Sequence, residues 1–398
     1  MIKALPHQDL YSDKAVEILN KYGLCYLMFE PRVGKSYTAI LTAEKMQDIR
    51  NVLILTRKKA IEGIEKFLHN VSKNYTVTNF EQSHKLNSED YCFIIIDEAS
   101  SISAFPKPSN ITKNIRKLAY DKKVLFLSGT PFIESPSQIF HQFYVTNYSP
   151  FSNYKNFYSW HKDYGIESSI FVAGRNIKQY NKCKPELLDE VDKYCLKLTQ
   201  SDIGIESKAE DELHFVELSE RTKKIYNTLQ RKKVISVYDV NQNVVKIVCD
   251  NVIKLRMTLH MIESGCFKVD DNYYELGNTE KIDYIKKNFK ETENMVIMSN
   301  FVQERELLKK HFKKARILSS ISNSMGVDLS KSDSFIIYSQ SYSGTHHVQL
   351  RDRIVNMNGS TSNKVHFILT RNAISHQVYT ATSNKKDFNN SLYLKKDL

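Results

Sequence analysis

The sequence predicts an α/β protein with two parallel sheets joined by a mainly helical segment. Unbroken apolar runs of strand length alternate with stretches of helical length, which is typical of strand–helix–strand units in a parallel sheet. This alternation occurs towards both ends of the chain, and the residues between are rich in tyrosine and phenylalanine. We therefore expect one α/β domain at residues 1–145, a mainly helical, aromatic-rich connecting region at 146–275, and a second α/β domain at 276–398.

Charge and hydrophobic content narrow the class of protein. With 398 residues, 41% of them hydrophobic, the chain is long enough for two or three domains with cores of their own. No apolar run reaches the length of about 18 residues that suggests a membrane span, so we expect no membrane partner. The net charge of +12 favours a polyanionic partner, most commonly nucleic acid. A lysine-rich bias from an AT-rich genome is the alternative explanation.

The cysteines show neither CxxC nor Cys/His ligand spacing. We therefore expect reduced core thiols and no structural zinc. The first residues of the chain lack the layout of a signal peptide, so we expect a cytoplasmic protein. The six cysteines are Cys25, Cys92, Cys183, Cys195, Cys249 and Cys266.

A glycine–lysine–serine loop follows the first apolar run. This run, Leu24–Phe29, is a predicted buried strand, and a predicted helix, Tyr37–Met46, follows the loop. Gly34 would let the backbone approach a β-phosphate, Lys35 would reach the β- and γ-phosphates, and Ser36 would hold Mg²⁺. The helix N-terminus would add its amides and its dipole. The first glycine of the full GxxxxGK[ST] pattern is absent, so a surface turn is the alternative for this loop taken alone.

An acidic pair follows another buried run, Cys92–Ile96. Parallel sheets bind ligands at the carboxyl ends of their strands, which is where this pair would lie. We predict that Asp97 coordinates Mg²⁺ and that Glu98 orients and activates the water that attacks a γ-phosphate. A plain turn is the alternative, but the Gly-Lys-Ser loop upstream favours the functional interpretation.

Other polar residues lie close to strands of the same half. The predicted strand Asn51–Thr56 ends in Arg57–Lys59, which would hold a phosphodiester backbone, although a solvated loop is the alternative. The strand Val124–Leu127 leads into Ser-Gly-Thr-Pro, which could sense the carboxylates. Ahead of the first strand, Gln8 could read an adenine edge, because an amide both donates and accepts hydrogen bonds. An ordinary surface residue is the alternative for Gln8.

The second half repeats the strand–helix pattern. The aromatic-rich stretch that precedes it, from about residue 132 to 215, is either a surface on which bases stack or a core of helices packed on aromatic rings. Core packing is the commoner case. Residues 238–250 form either a hairpin or a broken helix. We predict helices at 186–199, 218–236, 281–289 and 304–312, and strands at 295–301, 315–320, 335–338 and 364–369.

Taken in order, these segments resemble the motifs of superfamily 2 helicases, and most closely the Swi/Snf-type branch in the small form found in phages. The individual motifs are short, but nine in the family's order are specific. Ser100 stands in place of the His of a DEAH-type motif II. The matching segments are Leu5–Gln8 (Q motif), Glu30–Ser36 (motif I), Arg57–Lys59 (Ia), Thr78–Glu81 (Ib), Asp97–Ser100 (II), Ser128–Pro131 (III), Ser299–Phe301 (IV), Gly326–Leu329 (V) and Gln349–Arg353 (VI).

The resemblance implies two RecA-like domains with ATP and Mg²⁺ in the cleft between them and nucleic acid lying across both. It also assigns roles to individual residues. Those roles are catalysis for Lys35, Glu98 and Arg353, Mg²⁺ ligation for Ser36 and Asp97, ATP binding for Gln8, Arg32, Val33, Gly34, Lys35, Ser36, Tyr37, Gln349 and Arg353, and nucleic-acid contact for Arg57, Lys58, Asn79 and Asn300.

Two features depart from the family pattern. Asn356 stands where motif VI usually has its last arginine, the finger that stabilises charge on the transferring phosphate. Either Arg351 or Arg353 could replace it, or hydrolysis is weak. Between Phe312 and Gly326 there is almost no room for a strand–helix unit that the family normally has, so we expect a trimmed second domain.

These inferences predict an ATP-dependent DNA helicase or translocase that moves on DNA or remodels it. The alternatives are an ATP-gated nucleic-acid clamp with little turnover and an RNA helicase. A phosphate-loop ATPase with no nucleic-acid partner would leave the basic charge and the second α/β half unexplained. We expect a monomer in the cytoplasm, or in the host cytoplasm if the protein is viral, with replication or recombination proteins as further partners.

Overall fold

Two units make up the chain in the computed structural model, residues 1–206 and residues 207–398. The structure describes residues 4–129, 131–132, 135–172, 175–204, 209–320, 332–351 and 364–384. The division at residue 206 falls within the predicted connecting region, 146–275, whose residues are therefore shared between the two units. No helix in these described ranges combines the length and the apolar character that crossing a bilayer requires.

The first unit is built on a six-stranded sheet in the order β3-β2-β4-β5-β1-β8, with neighbouring strands parallel. An antiparallel hairpin, β6–β7, lies outside this sheet. The strands of the first unit are β1 (Leu24–Phe29), β2 (Asn51–Thr56), β3 (Asn74–Asn79), β4 (Phe93–Asp97), β5 (Lys123–Leu127), β6 (Ser168–Val172), β7 (Arg175–Gln179) and β8 (Cys195–Leu198). Its helices are α1 (Pro6–Tyr22), α2 (Lys35–Lys45), α3 (Ile61–Glu65), α4 (Asn110–Ala119), α5 (Ile139–Phe143), α6 (Phe157–Tyr164) and α7 (Glu186–Asp192).

Two hydrophobic clusters cover the two faces of this sheet. Successive side chains of a strand point to opposite faces, so Leu24 and Tyr26 enter one cluster while Cys25 and Leu27 enter the other. The other central strands divide in the same way. Burial on both faces explains why these strands are unbroken apolar runs in the sequence.

The aromatic-rich stretch contributes to the first of these clusters. Phe140, Phe143, Phe151 and Trp160 are all fully buried, and the rings of Phe140 and Trp160 lie 5.1 Å apart. Enclosed rings cannot stack on bases, so the structure favours core packing over a base-stacking surface for these residues.

The predicted helix 186–199 is corrected at its end. It stops at Asp192, and Cys195–Leu198 forms strand β8, which pairs in parallel with β1. Backbone pairing to β1 and burial of Leu198 stabilise the strand there. A four-residue strand carries too short a pattern for its period to be recognised from the sequence.

The second unit has a five-stranded parallel sheet in the order β15-β14-β16-β17-β9. Two antiparallel hairpins, β10–β11 and β12–β13, accompany this sheet. Of the two alternatives for residues 238–250, a hairpin or a broken helix, the structure shows the hairpin, because most of these residues belong to β10–β11. The strands are β9 (Glu210–Phe215), β10 (Val234–Tyr238), β11 (Val244–Val248), β12 (Cys266–Val269), β13 (Asn272–Glu275), β14 (Met295–Ser299), β15 (Arg316–Ser319), β16 (Ser334–Ile337) and β17 (Lys364–Leu369). The helices are α8 (Glu220–Lys232), α9 (Val252–Ile262), α10 (Glu280–Asn288), α11 (Val302–His311), α12 (Gly344–Arg351) and α13 (Ile374–Ser383).

Candidate active site

The carboxyl edge of the first sheet gathers most of the residues predicted to act in the first half. Because all its strands run in the same direction, the segments that follow them emerge along one edge. The segments at that edge are Glu30–Ser36 after β1, Arg57 and Lys58 after β2, Asn79 at the end of β3, Asp97 and Glu98 at the end of β4, and Ser128 and Gly129 after β5.

The phosphate loop depends on the conformation of Gly34. Helix α2 begins at Lys35, and Gly34 precedes it with φ +87°, in the left-handed region that favours glycine. A Cβ atom at Gly34 would lie 2.1 Å from Gln8 Nε2, so a side chain there would collide as well as strain the backbone. Arg32, earlier in the loop, also has a positive φ of 67°. The loop therefore places a residue without a side chain, Gly34, at the N-terminus of α2, where the backbone amides and the helix dipole favour an anion.

Helix α1 supports this loop from behind. Gln8 is 7% exposed, and its Oε1 accepts a hydrogen bond of 3.0 Å from the backbone N–H of Leu5. His7 Nε2 lies 3.1 Å from the carbonyl oxygen of buried Val33. The structure thus brings Gln8 and Val33 to the loop, while adenine reading by Gln8 remains a prediction. His7 lies in the Leu5–Gln8 segment that resembles the Q motif, but sequence reasoning gave it no role of its own.

Lys35 and Gly129 lie against each other at the mouth of the loop. The Lys35 ammonium donates hydrogen bonds to the carbonyl oxygens of Phe29, at 2.9 Å, and Glu30, at 3.3 Å. A Cβ at Gly129 would come within 3.2 Å of the Phe29 oxygen and 3.5 Å of Lys35 Nζ. A glycine after β5 therefore permits the close approach of this segment to the phosphate loop.

The carboxylate of Asp97 is buried beside charged neighbours. It is 7% exposed, and Oδ2 accepts a hydrogen bond of 2.7 Å from the Thr56 hydroxyl. Burial, and after it the nearby Glu98 carboxylate, raises the pKa of Asp97 to about 6, while the Thr56 hydroxyl and the Lys35 ammonium oppose the rise. A cation bound at Asp97 would relieve this penalty. Thr56 was missed at the sequence level because it is simply the last residue of a strand.

Glu98 combines backbone strain with an unsatisfied side chain. Its φ of +53° and ψ of +52° are uncommon for any residue other than glycine, asparagine or aspartate. Its Oε2 is buried and accepts no hydrogen bond from the residues that the structure describes. Strained backbone and orphaned polar atoms concentrate at functional sites, because elsewhere they only cost stability. Both features support Glu98 as a reactive group.

The predicted nucleic-acid residues divide between the units. Arg57 Nε and Nη2 donate to Ser101 Oγ at 3.2 and 3.1 Å, while the neighbouring Lys58 is exposed. Asn79 accepts a hydrogen bond of 3.1 Å from the Gln82 backbone, which caps the following turn. Asn300 lies in the second unit, where its N–H donates to Ser339 Oγ at 2.7 Å. The first three share the carboxyl edge of β2 and β3.

Several predicted residues lie outside the described part of the structure. They are Thr130, the segment Gly326–Leu329, Arg353 and Asn356. Gln349 lies in α12, but its side chain is not described. Their roles stay predictions.

Sequence reasoning also missed the contacts between Gln200, which follows β8, and the phosphate loop. Gln200 donates its backbone N–H to the Glu30 carboxylate at 2.8 Å and its amide to the Pro31 oxygen at 3.0 Å. The two segments are about 170 residues apart in sequence. Only the pairing of β8 with β1 reveals that they meet.

The donor set at this edge fits a magnesium–triphosphate. Mg²⁺ prefers oxygen ligands such as the Asp97 carboxylate and the Ser36 hydroxyl, and polyphosphate needs the cation of Lys35 and free backbone amides. The orphaned oxygen of Glu98, the residue after Asp97, has no hydrogen bond from the described residues and could accept a proton.

Comparison with known proteins connects this geometry to a family. The family model of the SNF2-related domain matches residues 24–267. Among solved structures, the chain is similar to the helicase domain of Hef from Pyrococcus furiosus, with a TM-score of 0.50 and 10% sequence identity over 96% of this chain and 98% of that one. This likeness confirms the predicted α/β fold with two RecA-like parallel sheets. No curated protein matches the chain.

Proposed function

Because this chain belongs to the SNF2-related family, within the superfamily 2 helicases, we propose that it couples ATP hydrolysis to movement on DNA or to its remodelling. One observation carries the proposal: strained Glu98, with its orphaned buried oxygen, follows the buried Asp97 carboxylate at the sheet edge that also carries Lys35. Such an arrangement is costly for a protein that holds no polyphosphate.

Each residue of the edge has a role in this proposal. Lys35 and the α2 N-terminus hold the phosphates of ATP, and Ser36 and Asp97 hold Mg²⁺. When bound, Mg²⁺ neutralises charge on the β- and γ-phosphates. Gln8 secures the loop and reads adenine, and Arg32, Val33 and Tyr37 are the other proposed nucleotide contacts.

Glu98 is the proposed general base. It takes a proton from the attacking water, whose oxygen forms a bond to the γ-phosphorus as the bond to the bridging oxygen breaks, giving ADP and phosphate. Lys35 stabilises the charge that develops on the phosphate oxygens. Gln349 and Arg353 are proposed to complete this stabilisation.

Arg57, Lys58, Asn79 and Asn300 are the proposed contacts to nucleic acid. The net charge of +12 and the position of the first three residues at the carboxyl edge of the first sheet support this assignment. DNA is the proposed partner, and RNA is the alternative that the experiment distinguishes.

Phosphate release provides the test. The rate is measured with no polynucleotide and with single-stranded DNA, duplex DNA, forked DNA or RNA, at one stated salt concentration because salt shifts such affinities strongly. We expect DNA to raise the rate and duplex or forked DNA to raise it most. A rate that no polynucleotide changes would contradict the proposal, and stimulation by RNA alone would replace DNA with RNA.

The ATP-gated clamp with little turnover is the second candidate, and the asparagine at position 356 favours it. An arginine finger contributes about 10³–10⁵ in rate, which an uncharged asparagine does not replace. The clamp is supported if ATP changes DNA affinity while wild type hydrolyses ATP no faster than Glu98→Gln at saturating DNA.

A further inference from the structure

Two histidines and a glutamate meet on the second sheet, far along the chain from the residues of the candidate active site. Glu212 and His214 lie on β9, and their side chains share one face because they are two residues apart. His366 lies on the neighbouring parallel strand β17, directly opposite Glu212. Strand pairing thus brings together groups more than 150 residues apart in sequence.

The distances within this cluster are close to those between the ligands of a metal ion. His214 Nε2 lies 3.0 Å from His366 Nδ1 and 3.6 Å from Glu212 Oε1, and His366 Nδ1 lies 3.9 Å from Glu212 Oε2. Ligands about 2.0–2.2 Å from a tetrahedral zinc ion lie about 3.3–3.6 Å from one another. The cluster therefore needs only small side-chain shifts to hold an ion.

The surroundings hold the ligands in place. His214 Nδ1, the nitrogen that faces away from the cluster, lies 3.1 Å from the Tyr284 hydroxyl, which matches the outer contact that orients metal-binding histidines. Phe289 packs edge-on against both imidazoles. Lys364 Nζ lies 3.0 Å from Glu212 Oε2, while the other oxygen of this carboxylate, Oε1, is the one near His214.

We propose that Glu212, His214 and His366 form a binding site for a divalent transition-metal ion of the zinc class. Two imidazoles and one carboxylate suit zinc, and a water molecule would fill the fourth position because all three side chains are partly exposed. The ion would fasten the edge strand β9 to β17. This site uses no cysteine, so the cysteine spacing that argued against structural zinc does not bear on it.

A metal-free arrangement is the competing explanation. One histidine would donate to the other, and Glu212 would pair with Lys364. The two explanations differ in whether the chain takes up an ion with defined stoichiometry, so a titration separates them. Neither depends on the proposed ATPase activity.

The test uses the untagged full-length chain, stripped with a chelator and titrated with Zn²⁺ in a calorimeter. We expect one ion per chain with a dissociation constant in the micromolar range or below, and a rise in melting temperature when Zn²⁺ is added. Wild type that binds no Zn²⁺ in this range would overturn the proposal. Co²⁺ provides a second reading on wild type, because a tetrahedral site gives intense visible absorption whereas a site of water and scattered carboxylates does not.

Matched variants locate the ion. His214→Asn and His366→Gln should each weaken Zn²⁺ binding by at least tenfold, while His311→Gln, at a histidine of the same unit outside the cluster, should bind like wild type. Lys364→Met should bind Zn²⁺ more tightly, because it removes a positive charge beside the ligands. Circular dichroism without metal verifies that each variant is folded. Equal binding by wild type and both cluster variants would place the ion elsewhere and overturn the proposal.

Discussion

Each unit holds a pair of neighbouring charged groups, and the surroundings of the two pairs differ. In the first unit, Asp97 and Glu98 lie at the carboxyl edge of the sheet, adjacent in sequence and of like charge, and one oxygen of Glu98 is buried without a hydrogen bond from the described residues. In the second unit, Glu263 and Lys281 are fully buried, with 4.0 Å between the Lys281 nitrogen and the Glu263 carboxylate.

The buried pair of the second unit is satisfied by its neighbours. Glu263 accepts a hydrogen bond of 2.8 Å from the backbone of Ile374 and one of 2.5 Å from the Ser375 hydroxyl, at the start of α13. Lys281 donates to the Tyr338 carbonyl oxygen at 3.4 Å. These contacts join the C-terminal ends of α9 and β16 to α10 and α13, so this pair serves the architecture of the second unit.

The difference separates two uses of a buried charge. Charges that are paired and hydrogen-bonded hold a unit together, whereas charges that are strained, crowded by like charge and left unsatisfied are kept for a ligand. The first kind should affect stability when removed, and the second kind should affect activity. Glu98→Gln and Glu263→Gln test this division directly.

Glu98→Gln should have the largest effect, and it should fall on catalysis. Loss of the base lowers ATP turnover by about 10²–10⁴-fold, while the free energy of unfolding stays the same or rises because a like charge beside Asp97 is removed. Phosphate release and urea unfolding measure the two quantities. Exposed Glu89→Gln is the control, and equal turnover in both variants would contradict the assignment.

Glu263→Gln should act in the opposite direction, on stability. It removes the nearer of the two carboxylates that act on the buried Lys281 ammonium and leaves only Glu304, which costs about 3–5 kcal/mol of unfolding free energy. Urea unfolding gives the value, and the double variant with Lys281→Met should recover part of the loss. A cost below about 1 kcal/mol for the single variant would show that the pair is not structural.

His141 is a third case, in which a buried group of the first unit avoids charge altogether. Burial is the main cause that lowers the pKa of His141 to about 4. The contact with the Ala104 carbonyl oxygen raises this pKa, and the nearby Arg116 guanidinium lowers it further. Below pH 6.5 the unfolded chain takes up a proton that the folded chain refuses until about pH 4. Stability should therefore fall between these values, by roughly 2 kcal/mol at pH 5.

The contribution of His141 to the pH dependence of stability is the difference between the unfolding free energies of wild type and His141→Gln, measured as a function of pH. The variant should lose stability less steeply between pH 6.5 and 4, whereas His84→Gln, at an exposed histidine, should follow wild type. Parallel curves for wild type and His141→Gln would show that His141 is not held neutral.

Gly34→Ala should lower stability by a smaller amount than Glu263→Gln. Its positive φ costs an alanine about 1–2 kcal/mol, and the new methyl group displaces the Gln8 amide. Affinity for Mg–ATP should fall as well. Gly63→Ala is the matched control, because it lies in α3 with open space around its Cβ position and should be neutral or stabilising. Similar results for the two variants would remove the argument for Gly34.

The sequence was sufficient for strands β1, β2, β4 and β5 of the first sheet and for the position of the charged residues that follow them, but not for β8, which was predicted as helix. Unbroken apolar runs identify strands buried on both faces, and the Gly-Lys-Ser and Asp-Glu motifs follow such runs directly. Pairings between distant segments were not accessible. The contacts of Thr56 with Asp97, Gln200 with Pro31 and His214 with His366 join residues 41 to 169 positions apart. The strained backbone of Glu98 likewise carries no local signal.

Thermal unfolding with and without Mg–ATP tests the central claim most directly, namely that the edge of the first sheet holds a magnesium–triphosphate. Wild type should gain melting temperature as Mg–ATP is added, because a ligand that binds only the folded chain stabilises it. Exposed Lys85→Ala should respond like wild type, whereas Lys35→Ala should show little or no gain. An equal rise for Lys35→Ala and wild type would mean that the phosphates bind elsewhere, and would contradict the account.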